Sequence, residues 1–184
     1  MSDSAAKHRA NQTVRNLIYS LLVSLGLVLA LVLGVPRDDS NRIVPVDYES
    51  IGQELAGSVE YQVLIPQVPE DWWSNAARLE TNLNVQSWYI GFVTPDNQFI
   101  AMTQAFESNP SWVALTLQGN WPDGEIVIDG KTWQIWPTLK PSSPPGTKEF
   151  AMVHEYDSSA VVIYGTASRE EFESMAKAIT ALLD

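Results

Sequence analysis

The sequence predicts an α+β domain carried behind a single membrane-spanning helix. Three observations support this. An uncharged run of nineteen residues, Leu17 to Val35, lies near the N-terminus. Beyond it, alternating apolar and polar segments are broken by hairpin-type turns. The chain closes on a capped amphipathic helix. The arrangement expected is an antiparallel sheet of about six to eight strands, packed by a short first helix and a C-terminal helix. The chain divides into a basic cytoplasmic tail (1–16), a transmembrane helix (17–35), a linker (36–46) and an extracytoplasmic α+β domain (47–184).

As a helix, the apolar run rises roughly 28 Å, close to the ~30 Å hydrocarbon core of a bilayer. A buried core helix of a soluble protein would show a polar stripe, and this run shows only Ser20 and Ser24. A cleaved signal peptide has a shorter apolar region and a small-x-small cleavage site. This run is longer and ends in Gly34-Val35-Pro36-Arg37, which favours an uncleaved signal-anchor. Lys7, Arg9 and Arg15 precede the run, and Arg37 and Arg42 follow it. The short basic tail favours the N-terminus inside and the domain outside the cytoplasmic membrane. Gly26, Ala30 and Gly34 recur at spacing four and place small residues on one helix face, where a second helix can approach closely.

Pro36 stops the helix and a polar linker follows. Asp47 reads as the N-cap of a short helix carrying Tyr48, Ile51 and Leu55 on one side, closed by Gly57. Val59 to Ile65 alternates and predicts a strand ended by Pro66 and Pro69. Trp72-Trp73 opens a loop or helical turn, and Ala77 to Leu83 predicts another strand. Ser87–Val93 and Gln98–Phe106 flank Thr94-Pro95-Asp96-Asn97, whose residues make a turn. Pro110 to Leu117 suits a short helix. Glu125–Ile128 and Lys131–Trp136 flank Asp129-Gly130, a strong two-residue hairpin signal. Pro137 to Thr147, with four prolines, reads as an exposed loop. Phe150–Tyr156 and Ala160–Gly165 form a hairpin across Asp157-Ser158-Ser159. Ser168 and Glu171 match a capping box. Phe172, Met175, Ala176, Ile179, Leu182 and Leu183 follow at helical spacing.

Charge is uneven. The tail before Leu17 has three basic residues and one acidic, while the remainder has 8 basic and 21 acidic, a net of −13. Such a domain repels phosphate polymers, so nucleic acid is not expected as a partner. Cysteine is absent, which removes disulfides, thiol nucleophiles and thiolate metal sites. Outside the tail the only histidine is His154, on a predicted strand with Phe150, Met152 and Tyr156; it is expected at the domain surface. One histidine without thiolates makes no zinc site. No G-x-G-x-x-G, P-loop, G-x-S-x-G or H-E-x-x-H occurs. Neither a metal nor a cofactor is expected. All seven tryptophans lie beyond the apolar run. Trp88 and Trp133 have the periodicity of core residues. Trp72, Trp73 and Trp121 lie in loop-like sequence beside Pro69 and Pro122, and are the candidate ligand or partner surface.

Several segments, in order, resemble an uncharacterised family of actinobacterial single-pass membrane proteins, the domain of unknown function 4245. They are V-P-R after the apolar run, V-D-Y, P-E-D-W-W-S-N-A-A-R, S-W-Y-I-G-F-V-T-P, I-D-G-K-T-W-Q-I-W and V-I-Y-G-T-A-S. The resemblance implies a cytoplasmic-membrane anchor and an outer domain, and carries over no catalytic residue. The ending, strand, glycine and capped helix, also resembles small α+β domains of the Mog1/PsbP type, which is an analogy of fold alone.

The function expected is therefore a non-enzymatic interaction module: an accessory or assembly subunit of a membrane or cell-envelope complex, with a membrane or envelope protein as partner and helix-mediated self-association. The alternative is a glycan- or lipid-binding domain that uses the loop tryptophans. A carboxylate-based hydrolase has the least support, because nothing in the sequence singles out a pair among the acids.

Overall fold

Helix α1 (Ser2–Gly34) forms a unit by itself, and residues 43–184 cluster as a second. The computed structural model describes residues 2–34, 44–117, 121–136 and 148–183. The expected helix boundary at Val35 and Pro36, most of the expected linker and the expected 137–147 loop lie outside the described residues. Within α1, Val14–Leu31 is long and apolar enough to cross a membrane, and none of it is buried. A membrane span and a signal sequence both meet that description. The helix starts at Ser2, so the stretch assigned as a tail is helical as well.

In the second unit, Asp47 caps α2 (Tyr48–Ala56), its carboxylate accepting from the Ser50 N–H at 3.1 Å and from the Ser50 hydroxyl at 2.7 Å. Gly57 ends the helix at φ −76°, so the stop does not use the left-handed glycine that the sequence suggests. Next comes the largest departure from expectation. Val59–Ile65 is not a strand, although it alternates as one. It lies over a face of the sheet, and side chains supply the hydrogen bonds a neighbouring strand would have given. The Leu64 N–H donates to Gln104 Oε1 (2.9 Å), the Trp88 indole donates to the Leu64 carbonyl (3.1 Å), and Gln104 Nε2 donates to the Gln62 carbonyl (2.6 Å). The alternation is real because one side of the segment meets the core; Leu64 is fully buried.

Seven strands form one antiparallel sheet in the order β1-β2-β3-β7-β6-β5-β4. They are β1 (Trp73–Asn82), β2 (Val85–Val93), β3 (Phe99–Ala105), β4 (Gly124–Ile128), β5 (Lys131–Trp136), β6 (Phe150–Tyr156) and β7 (Ser159–Gly165). The α+β class is as expected. β1 starts four residues before the expected Ala77 and has an irregularity between Ser74 and Ala76. The β4–β5 turn forms at Asp129-Gly130, with φ of 47° and 83°. The β1–β2 turn uses Leu83 and Asn84 at φ 53° and 61°. Leucine rarely adopts that conformation, since its Cβ crowds the following carbonyl.

The topology is two meanders joined at the centre. The chain leaves β3, crosses one face of the sheet as α3 (Pro110–Thr116), enters the far edge at β4 and winds back to pair β7 with β3. Asn109 caps α3, its side-chain oxygen accepting from the Trp112 N–H at 2.9 Å, with Pro110 in the first turn. Gly165 pairs with Ile100 on one side and Phe150 on the other, and a Cβ there would overlap the Phe99 carbonyl.

Both faces of the sheet are covered. One carries Trp88, Ile90, Phe92, Ile100, Met102 and Trp133 under α2, the 58–72 segment and α4 (Arg169–Thr180). The capping box on α4 forms as predicted, and Phe172, Met175, Ala176 and Ile179 are buried. Trp133 Nε1 donates to Thr180 Oγ1 at 3.1 Å and ties α4 to β5. The other face holds Ala101, Ala151, Val153, Val162 and Tyr164 against Trp112, Val113 and Leu117 of the α3 region. Beyond the first and last helices that the sequence predicts against the sheet, the crossover helix α3 supplies a second layer.

Two outcomes follow for stability. Gln104→Leu strands the Leu64 N–H and the Gln62 carbonyl, and is to cost about 2–4 kcal/mol in a denaturant melt. Leu83→Asn relieves the turn and is to raise stability by about 0.5–1 kcal/mol in the same assay.

Candidate functional site: an aromatic cleft

Strand alternation decides which side chains reach the site. On β5, Trp133 faces the first core, so Gln134 and Trp136 face the second. On β6, Ala151 and Val153 face the second core, and Glu155 continues that row. α3 lies over this face, and Trp121-Pro122 leads into β4, where the Asp123 N–H donates to the Ile135 carbonyl at 2.8 Å. The result is a cleft of about 310 Å³ lined by Pro110, Val113, Ala114, Trp121, Pro122, Gln134, Trp136 and Glu155. Trp121 is 85% exposed, whereas Trp136 is 5% exposed.

Among the described residues the buried indole N–H of Trp136 has no hydrogen-bond partner, and neither has that of Trp112 in the same cluster. Buried donors of this kind are normally satisfied. The cleft thus combines two indoles, prolines and small aliphatic groups with one amide and one carboxylate. Among its described lining residues there is no basic side chain and no nucleophile paired with a base. Among the described residues no group of three or more His, Cys, Asp or Glu could hold a metal ion.

Two other regions bear on chemistry. An open acidic cleft of about 450 Å³ is lined by Pro69, Asp71, Trp72, Pro95, Asp96 and the first turn of α4. Burial is the largest single effect on the Glu171 carboxyl there and raises it, but hydrogen bonds led by the Ser168 N–H, which donates to it at 2.7 Å, together outweigh burial and hold it below the usual carboxylate range. That is opposite to the shift a general acid needs. On the second face, Arg78 lies 4.2 Å over the Tyr89 ring and Lys148 lies 4.5 Å over Tyr164. Burial pushes the Tyr164 phenol up and the Lys148 amine down. Both cations are engaged: Arg78 pairs with Glu80, and Lys148 donates to the Thr116 carbonyl at 2.8 Å.

The three tryptophans proposed as a surface do not come together. Trp72 is 9% exposed and packs near Phe92, with centroids 6.3 Å apart, so its expected exposure is corrected; the edge it still shows lines the acidic cleft. Trp73 is half-buried at the start of β1, one edge of the sheet. Trp121 lies beside β4, the opposite edge. Gly26, Ala30 and Gly34 lie exposed on α1, and a Cβ added at either glycine meets nothing within 4 Å. His154 is not at the surface: it is 8% exposed, between the rings of Trp133 (5.4 Å) and Tyr156 (5.8 Å). Its Nδ1 lies 2.8 Å from the Thr132 carbonyl, which only accepts, so Nδ1 carries the proton. Trp136, Gln134 and Glu155 were missed as site residues. The signal for Trp136 and Gln134 was present in the alternation of K-T-W-Q-I-W, which sends the two tryptophans to opposite faces, and that for Glu155 in the alternation of β6.

Fold and site together define an α+β domain with an aromatic cleft at one edge of its sheet, in a chain that also carries an apolar N-terminal helix. The chain belongs to the family described as protein of unknown function (DUF4245), whose model matches residues 9–179. No curated protein and no solved structure matches it.

The two kinds of indole give a paired test. Trp133→Phe loses a satisfied hydrogen bond and strands Thr180, whereas Trp136→Phe removes a donor with no partner. With similar loss of ring volume, and with no partner for the Trp136 N–H among the described residues, Trp133→Phe is to destabilise by about 1–2 kcal/mol more than Trp136→Phe in parallel melts.

Proposed function

We propose that this chain is a membrane-anchored interaction module. Its apolar helix spans the cytoplasmic membrane once, N-terminus inside, and holds the 47–184 domain outside as an accessory or assembly subunit of a membrane or cell-envelope complex. The observation that carries this reading is the exposed, apolar Val14–Leu31 stretch of α1, which carries no charge beyond Arg15. The family match begins at residue 9 and runs through that helix into the domain, so both parts lie within what the family describes. The basic residues before the helix favour the inside orientation. An acidic domain of net −13 suits a cationic or neutral protein face. The non-enzymatic reading draws on the site chemistry: the described residues of the cleft include no acid–base or nucleophile pair, and the Glu171 carboxylate is committed to its capping box.

A second reading has its own observation. The cleft at Trp121 and Trp136 suits a domain that binds an envelope glycan or lipid.

Cross-linking in native membranes followed by mass spectrometry tests the first reading, and one dominant integral-membrane partner is the expected result. Recovery of this chain alone counts against it. A tag at each end with protease shaving of intact cells is to remove the C-terminal tag and spare the N-terminal one. If the Gly26, Ala30 and Gly34 face pairs two copies, Gly26→Leu with Gly34→Leu abolishes the cross-linked dimer; an unchanged dimer removes that face from the interface.

A further inference from the structure

We infer that the cleft between α3 and β5 is a binding site for a neutral saccharide ring. The inference rests on the ligand-binding reading above and adds the chemical class of the ligand.

A pyranose has one face of C–H groups and a perimeter of hydroxyls. Trp121 offers a flat ring that is 85% exposed, the surface on which such a C–H face stacks. The hydroxyls need acceptors and donors at the edge of that contact. Glu155 supplies a carboxylate that accepts, and the Gln134 amide both accepts and donates. Trp136 adds a second indole to the wall. The volume of about 310 Å³ lies at the low end for ligand clefts and suits one ring.

Charge and backbone chemistry narrow the class. Among the described residues no basic side chain lines the cleft, Glu155 lies in its wall, and the chain beyond the tail carries a net of −13. Phosphate headgroups and uronic acids are therefore repelled, and the ring is neutral. A peptide would need main-chain partners, and Pro110 and Pro122 in the wall have no N–H to give. A lipid tail needs an enclosed apolar channel, and this cleft is open and carries two polar groups.

The test uses the full chain in phosphatidylcholine nanodiscs. Maltose, cellobiose, trehalose and N,N′-diacetylchitobiose are titrated separately, read by tryptophan fluorescence and by saturation-transfer NMR. At least one is to bind saturably with a Kd of about 0.1–10 mM, with transfer concentrated on ring C–H protons. Trp121→Ala is to weaken it at least about tenfold, Trp121→Phe less, and Glu155→Gln about threefold. Trp121 and Glu155 are exposed, so unchanged melting midpoints are to show that these variants fold. No saturable binding by any of the four up to about 50 mM, or binding indifferent to Trp121→Ala, overturns the proposal. A lysine-proline tetrapeptide and dihexanoyl-phosphatidylcholine are run in parallel. Trp121-dependent binding of either without any sugar overturns the saccharide assignment and leaves the ligand-binding reading standing. Binding by none of the six overturns both.

Discussion

The side-chain amide of Gln104 holds together parts of the fold that the main chain leaves unjoined. It is buried next to the C-terminal end of β3: Oε1 accepts from the Leu64 N–H, while Nε2 donates to the Gln62 carbonyl and the Tyr156 hydroxyl. The Trp88 indole completes the set from β2. A stretch without sheet partners is thereby fixed across the sheet's first face. That stretch leads on to Trp72 and β1, and Gln62 Nε2 reaches the Leu182 carbonyl at 2.7 Å, beyond the end of α4. One amide thus links the 58–72 segment, the central strands and, through Gln62, the C-terminal end. Buried polar groups of this kind demand one arrangement because any other leaves them unsatisfied.

The second face follows from the crossover. A chain that must travel from the central strand β3 to the far edge β4 passes over the sheet, and α3 is what the sequence provides for the passage. The residues beneath are small or flat, chiefly Ala101, Ala105, Ala151 and Ala160, so a seven-residue helix can lie close. The cleft arises where that helix meets the outer strands. Its walls come from three separate stretches: the start of α3, the Trp121-Pro122 approach to β4, and β5 with β6.

Much of this was legible from local sequence. Asp129-Gly130, the Ser168–Glu171 capping box and the Asp47 cap are local devices whose physics acts over a few residues, and each formed where it was read. What could not be read depends on distant partners. Val59–Ile65 alternates because one side meets the core, and alternation says nothing of whether a strand or a glutamine satisfies the backbone. Trp72 and Trp121 each lie near a proline in polar sequence, yet Phe92 packs against one and the other is open. His154 lies on the face its strand period assigns, but the ring of Trp133 that covers it comes from a neighbouring strand. The cleft was half legible: Trp121 was found, while the orphan N–H of Trp136 is a property of packing that no spacing reveals.

The junction of the two meanders also sets how the domain comes together in time. Hairpins β1–β2, β4–β5 and β6–β7 each close over two-residue turns and can form early and independently. The β3–β7 pairing instead brings Ile100 to Gly165, 65 positions along the chain, at a loop-closure cost on the order of 4 kcal/mol. That cost falls before the shared cores reward it, which makes the seam at Gly165 the natural rate-limiting contact. A side chain at that glycine would act on the folding rate as much as on the final balance, and would leave two half-sheets with open edges waiting to pair elsewhere.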